Sequence, residues 1–550
     1  MKKQIAFFVL CLAAIALIVS AAPSNHYIRA GASGNGSGSD WTNACTGFSG
    51  ACAPSSMVRG DTYYLAGGSY SGANFSAASS GTTLITIKGA TTADHGTDTG
   101  WSTSFGVDVT QVSFKSSIAF SSSYWMFDGV MGPVWSRVAS QYGFTFTPQQ
   151  YPIAIFNDRS VVTHVTVAHI AAIAPSGDVE KFFVSTDNTN PGVSAVTMSN
   201  LYLSGWQNAY WATSPGKTMD SWIFQYCMCL NGFSSNAHHG EWINNNYGRM
   251  TNQITRWNWF DGQQNGTGVI VANNNDNVNA QVYGNVFNNI AEGNGIITGT
   301  SSGNLVSPQV FNNTFVNCSS GGWIGGNVTG TPVIQNNLIY KMSGSMSVRG
   351  DYNAYFSTTD TPKETHGQVS TANPFVNAST LNYQLAAETS PGIPLTAPFN
   401  VDVLGNARPG SDGVWSRGTY QFGGSTPPPP PAITVTIAPT AATVLVNGTQ
   451  QFTVSVANDP SNAGVTWSTN APGGIYTAPG TVPTPATVTV KATSVTDPTK
   501  SASATVTIAA PPLVWSCTLA TCTASGGISG QKIPAQLNPP SGPTGTVTLP

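Results

Sequence analysis

Three stretches decide how this chain folds: VYGNVF at 282–287, VFNNTF at 310–315 and IQNNLI at 334–339. Each is a short apolar run interrupted at the same place by asparagine. Asn285 and Asn313 lie 28 residues apart, and Asn313 and Asn337 lie 24 apart. The stretches ITRWNW (254–259) and MSNLY (198–202) keep the same shape upstream. A repeat in the range of roughly 20–50 residues marks a solenoid, whose coils bury their apolar faces on one another. Runs this short read as strands. An asparagine in a left-handed or turn conformation can bond to its copy in the next coil, which fits its recurrence at one place. The expected architecture is a β-helix.

Composition agrees. The chain has 550 residues, of which 8% are charged, against roughly 25% in ordinary soluble domains. Hydrophobic residues reach 40%, so the low charge does not signal disorder. The 58 glycines, with abundant Ser, Thr and Asn, suit turn-dense β structure. Net charge is −3 and no basic stripe occurs, which argues against a nucleic-acid partner.

Residues 1–22 read as a signal peptide: Lys2 and Lys3, the apolar run Ile5 to Val19, then small residues at Ser20, Ala21 and Ala22. The run is short for a membrane span, no second one follows, and secretion to the exterior or cell surface is expected. A secreted chain permits disulfides, and Cys45/Cys52 and Cys517/Cys522 are the candidate pairs. Cys227 and Cys229 share a strand face as buried thiols or a bridge. Five prolines at 427–431 form a semi-rigid spacer, so 23–425 is expected as the β-helix and 426–432 as linker. Beyond it the pattern changes to alternation: ITVTI (433–437), FTVSV (452–456), VTV (488–490), ATVTI (504–508). That reads as a small β-sandwich over 433–510 with Trp467 in its core, followed by a segment 511–550 that looks like part of a further domain.

Several stretches resemble a known group. YIRAGASGNGSGSDW (27–41), TLITIKGATTADHG (83–96), YWMFDGV (124–130), NNTFVN (312–317), DYNAYF (351–356) and GNARPGSDG with GTY (405–420) are similar to bacterial secreted right-handed parallel β-helix proteins of the pectate-lyase-like superfamily. IYTAP (475–479) and SASATVTI (501–508) resemble bacterial Ig-like (group 2) repeats. The resemblance implies an all-β chain: a right-handed parallel β-helix, then a small Ig-like sandwich. It does not select among the lyases, hydrolases and adhesins that share such a fold. The signal peptide disfavours a phage-type tailspike.

Chemistry is expected where the repeat lengthens. Trp222 and Trp257 are 35 residues apart, and between them runs SSNAHHGEWINNNYGR (234–249). His239-Gly240-Glu241 resembles a His-x-Glu element of related β-helices. In a lyase acting on a uronate polymer, His238 or His239 would remove the C5 proton. Arg249 and Arg256 would hold the sugar carboxylate, and Glu241 would orient a histidine or hold Ca²⁺. Trp206, Trp211, Lys217, Trp242 and Tyr247 are the substrate-binding candidates, through ring stacking and charge. Trp257 and Trp259 are expected together in the core. A hydrolase needs two carboxyls about 5–9.5 Å apart. Asp220, Glu241, Asp261 and Asp276 offer no closely spaced pair, and the aspartates read better as turn residues. NNNDN (273–277) reads as a polar turn, with Ca²⁺ as the metal it would take. The expected partner is an extracellular polysaccharide; the opposing reading is a non-catalytic adhesion protein.

Overall fold

The computed structural model describes residues 23–147, 151–156, 161–175, 181–186, 192–212, 217–232, 240–246, 248–262, 264–292, 294–300, 302–320, 323–344, 350–360, 364–423, 434–457, 464–468, 470–495, 498–511, 514–517, 522–525 and 546–548. The chain divides into two compact units, Pro23–Pro428 and a second that includes Pro429–Pro550. Its described residues are almost wholly β: the helical elements are three-residue 3₁₀ turns. No described helix is long and apolar enough to cross a membrane.

The first unit is a parallel β-helix. A 26-stranded sheet wraps it, a nine-stranded sheet forms another face, and a three-stranded sheet fills a corner. One coil runs through the strands Asn277–Val278, Gln281–Tyr283, Val286–Asn288, Ala291–Glu292 and Ile297–Gly299. The next coil stacks on it in register, Val282 on Val310 and Phe287 on Phe315. Like side chains therefore stack on like inside the solenoid. The Phe260, Phe287 and Phe315 rings lie 5.2 and 4.7 Å apart in one column.

The repeated asparagines do what the spacing implied, with one refinement. Single left-handed residues turn the corner: Trp257, Gly284, Asn312, Asn336 and Tyr352, at φ of 54°, 64°, 55°, 58° and 59°. The ladder asparagine is the residue after each. Asn285 Oδ1 accepts from the Asn258 backbone N–H at 2.9 Å, and Asn313 Oδ1 accepts from that of Asn285 at 3.0 Å. Asn337 and Asn353 continue the series, and the Glu364 carboxylate closes it by accepting from Asn353. All five asparagines are fully buried. Burial is affordable because each amide meets backbone and neighbouring amide on both sides.

A second apolar cluster lies outside the coils. The loop 131–142 and the segment 375–422 cover outward residues of the corner columns, among them Trp257, Trp259, Tyr283 and Phe311. Trp135 donates from Nε1 to the Trp257 carbonyl at 2.7 Å, and Arg137 pairs with Asp261 at 2.6 Å. From the other end, Tyr383 stacks on Trp259 at 5.3 Å, and Trp415 donates to Asn312. Buried Arg408 and Arg417 clasp this segment through backbone carbonyls: Arg408 bonds Ser416 and Gly418, and Arg417 bonds Asn353 and Pro391. The GNARPGSDG stretch is therefore part of a structural strap. Trp257 and Trp259 are both buried as expected, beneath the straps rather than inside the coils.

Cys45 and Cys52 form a disulfide. Cys227 and Cys229 are free and wholly buried, and burial pushes both thiols up. In the second unit, Thr434–Ala438 pairs antiparallel with Thr453–Ala457. Ala441–Leu445, Ser501–Ala509, Thr487–Ser494 and Val465–Trp467 form a four-stranded sheet. Phe452, Tyr476, Val490 and Val506 fill the core, while Trp467 sits at its margin. Cys517 stands opposite Cys522 in antiparallel register.

Candidate functional site

Outward side chains of the long sheet form rows, because stacked coils repeat one position every strand spacing, about 4.8 Å. One such row stands beside the left-handed corner. Pairing runs Tyr64, Lys88, Asp128, Ala168, Ser199, Gln225, Arg256, Tyr283, each the register partner of the next. The adjacent corner column contains His169, Asn200, Tyr226 and Trp257, all at positive φ. Left-handed backbone is cheap for Asn and Gly but strained for a bulky residue. The histidine, tyrosine and tryptophan here therefore stand where the ladder logic would choose Asn or Gly, and side-chain contacts hold them.

Arg256 is the cation at the downstream end of the row. Its Nε donates to Gln225 Oε1 at 2.8 Å and one terminal nitrogen donates to Tyr283 Oη at 2.9 Å. Its guanidinium lies 4.3 Å from the centre of the Trp257 ring, and Tyr226 stacks on the same indole at 5.0 Å. Gly284 makes room for that indole: a Cβ there would lie 2.6 Å from Trp257 Cδ1. The result is a pre-oriented, half-buried guanidinium suited to a carboxylate.

Further up the row, His169 Nδ1 and Asp128 Oδ1 are 2.6 Å apart, and both side chains remain about one-quarter exposed. Burial pushes the Asp128 carboxyl up, but the His169 imidazole, the Val130 N–H and the Lys88 charge outweigh it and hold it below the usual range. An aspartate on Nδ1 fixes the ring so that Nε2 points away from its partner, the arrangement a general base needs. Lys88 is itself bound to Asp94 at 2.6 Å. Ala168 and Ser199 are small and buried, so the row is low between the dyad and Gln225. These upstream residues were not singled out from the sequence, because His169 and Asp128 are 41 positions apart and only the coil register joins them.

The residues singled out from the sequence are scattered. His238, His239 and Tyr247 lie outside the described residues. Glu241 is buried beside the nine-stranded sheet, where its Oε2 accepts from Asn244 at 2.8 Å and its carbonyl from Asn208. Trp211 is the register partner of Asn244, is partly exposed, and carries the Lys181 ammonium 4.0 Å from its ring centre. Arg249 is exposed on a strand of the long sheet, with its N–H on the Lys217 carbonyl. Arg256 stands beyond the next corner, at Asn252. Glu241 with Trp211, Lys217 with Arg249, and Arg256 are thus three separate places. Two expectations need correction. Trp206 is wholly buried, packs edge-on against Phe182 and donates to the Ala172 carbonyl, and Trp242 is equally buried. Both indoles fill the coil interior and offer no face to a sugar.

The acids act as local turn acceptors. Asp220 takes hydrogen bonds from Thr251, Ser221 and Asn252, which hold its carboxyl below the usual range against partial burial. Asp261 binds Arg137 and Asn288, and Asp276 binds Asn304. In the 273–277 turn, Asn273 and Asn274 donate to Asn246, and Asn277 to Gln253. These amide ladders explain the turn, and no three His, Cys, Asp or Glu side chains gather as a metal-ligand set among the described residues.

No family model and no curated protein matches this chain. Among solved structures, it is similar to a mutant of a PL6-family alginate lyase at TM-score 0.32 and 12% identity, over 72% of this chain and 60% of that one. It is also similar to a pectate lyase at TM-score 0.31 and 16% identity, over 73% of this chain and 97% of that one. The match spans about three-fifths of the alginate lyase's length.

Proposed function

We propose that this chain is a secreted protein that recognises an acidic extracellular polysaccharide along the Lys88-to-Arg256 row. The observation that carries the reading is the Arg256 guanidinium, fixed by Gln225, Tyr283 and Trp257 with an edge left for a carboxylate. A strand spacing of about 4.8 Å approaches the length of one sugar ring in an extended glycan, so successive coils meet successive rings. Residues 1–22 serve as signal peptide, and the sandwich at 433–510 serves as an Ig-like spacer or accessory module.

The Asp128–His169 dyad favours a second, catalytic reading. With Nε2 as base, His169 would take the C5 proton of a bound uronate; as the C4–C5 double bond forms the C4–O bond breaks, and the proton held on His169, relayed through water, would pass to the leaving 4-oxygen. Glu241 with Trp211, and separately Lys217 with Arg249, remain competing loci for the same chemistry, as do His238, His239 and Tyr247.

The test is binding and turnover of the whole secreted chain on acidic and neutral polysaccharides, following unsaturated-product absorbance and reducing ends, with and without Ca²⁺. Arg256→Ala is expected to weaken acidic-glycan binding. His169→Ala is expected to keep binding and remove any unsaturated product. Loss of product in Glu241→Gln with His169→Ala fully active would move the chemistry to the nine-stranded sheet. Equal binding of neutral and acidic glycans, unaffected by Arg256→Ala, would sink the reading.

A further inference from the structure

The row is walled at both ends. Upstream, Tyr64 is buried: its Oη donates to Asp94 Oδ1 at 2.9 Å, and Lys88 reaches the other oxygen of the same carboxylate. Gly96 closes the cover, packed so tightly that a Cβ would lie 2.6 Å from Tyr27 Oη and 3.0 Å from the Tyr64 ring. Downstream, Phe399 of the C-terminal strap packs edge-on against Tyr283 at 4.8 Å and against Phe311 at 4.9 Å. The Asn312 side chain pins it by donating to the Phe399 carbonyl at 3.1 Å. Tyr283 and Phe311, the next two positions of the row, are buried in consequence.

Between the walls the row runs Lys88, Asp128, Ala168, Ser199, Gln225 and Arg256, with Ala168 and Ser199 buried low between their larger neighbours. Five intervals at about 4.8 Å give a floor of roughly 24 Å. We infer that the row takes a glycan segment of bounded length, roughly five or six rings at one ring per coil, with the Asp94–Gly96 turn and Phe399 as end walls that set it. This rests on the glycan reading above and adds its length specificity. A longer chain gains no contact on the row, because its extra rings must lift over a wall.

The test is calorimetric titration of the full chain with size-fractionated oligouronates of two to eight rings. Affinity is expected to rise severalfold per ring up to five or six rings, then stay level within about twofold. Phe399→Ala, checked for folding by its thermal midpoint, is expected to move the plateau to longer oligomers by uncovering Tyr283 and Phe311. Affinity that still climbs between six and eight rings in the unaltered chain overturns the inference while leaving the glycan reading intact, and this needs no variant. A folded Phe399→Ala protein with an unmoved plateau removes Phe399 as a wall. Failure of every oligouronate to bind overturns the acidic-glycan reading itself, and the length rule with it.

Discussion

Arg256 has its geometry set by Gln225, Tyr283 and Trp257, so its worth to a carboxylate lies in orientation as well as charge. Arg256→Ala should weaken acidic-glycan affinity about tenfold or more, ~1.4 kcal/mol. Arg256→Lys should restore only part, because an ammonium cannot reproduce the planar fork. Asp128 gives a pH prediction. Its carboxyl is held below the ordinary value of about 3.9, so its contribution to stability is complete above that value and is lost as pH falls through the lowered one. An acid-unfolding series should show a shallower acid limb for Asp128→Asn than for the unaltered chain; identical limbs would mean that the dyad adds nothing to folding. Asn313→Ala should cost about 2–4 kcal/mol in denaturant unfolding. It strands the backbone N–H of Asn285, takes one of three acceptors from its Nδ2 and leaves the Val282 carbonyl without its side-chain donor, all in the buried ladder.

At the scale of the element, corners and straps decide what the strands present. Gly284 turns its corner at φ 64° and leaves the space that the Trp257 indole occupies. Gly284→Ala should destabilise by about 1–3 kcal/mol. Because Trp257 must move, glycan affinity should fall as well; intact affinity would show that Arg256 does not depend on that indole. The 131–142 loop is held by the Trp135 bond to Trp257, the Trp135 ring against Trp259 at 5.4 Å, and the Arg137–Asp261 pair. Trp135→Ala should free it, and limited proteolysis should then cut within 131–142 well before the coils unfold. An unchanged cleavage pattern would mean that the loop is held elsewhere.

For the whole molecule, few charges act over a large surface. The 20 Lys and Arg and 23 Asp and Glu of 550 residues are spread thinly; of the row's cations, Lys88 is paired with Asp94, while Arg256 bonds the neutral Gln225 and Tyr283. Acidic-glycan affinity should fall as ionic strength rises, since the Debye length shrinks to about 8 Å at 0.15 M salt. Salt-independent affinity would shift the explanation to ring stacking. The two compact units have separate cores, one built on Phe260, Phe287 and Phe315 and the other on Phe452, Tyr476 and Val506. Calorimetry of the full chain should therefore resolve two transitions, and a single cooperative one would show that the units unfold together.

The spacing of Asn285, Asn313 and Asn337 determined the solenoid by itself, because a stacked coil repeats the same local requirement every turn and the requirement is written in consecutive residues. The Cys45–Cys52 bridge and the joint burial of Trp257 and Trp259 were legible for the same reason, since both are local in the chain, whereas Cys227 and Cys229 were legible as a pair but only the structure shows both as free thiols. The candidate site was only partly legible. Arg256 stood out as a cation beside a repeat, but Trp206 and Trp242 looked like sugar platforms because sequence shows an aromatic without the side of the coil it occupies. Tertiary structure alone decided that Asp128 meets His169, that Lys88 and Arg256 share a row, and that Phe399 closes it. Those meetings depend on coil register summed over many turns of unequal length and on a strap returning from more than a hundred residues away, and no local pattern encodes either.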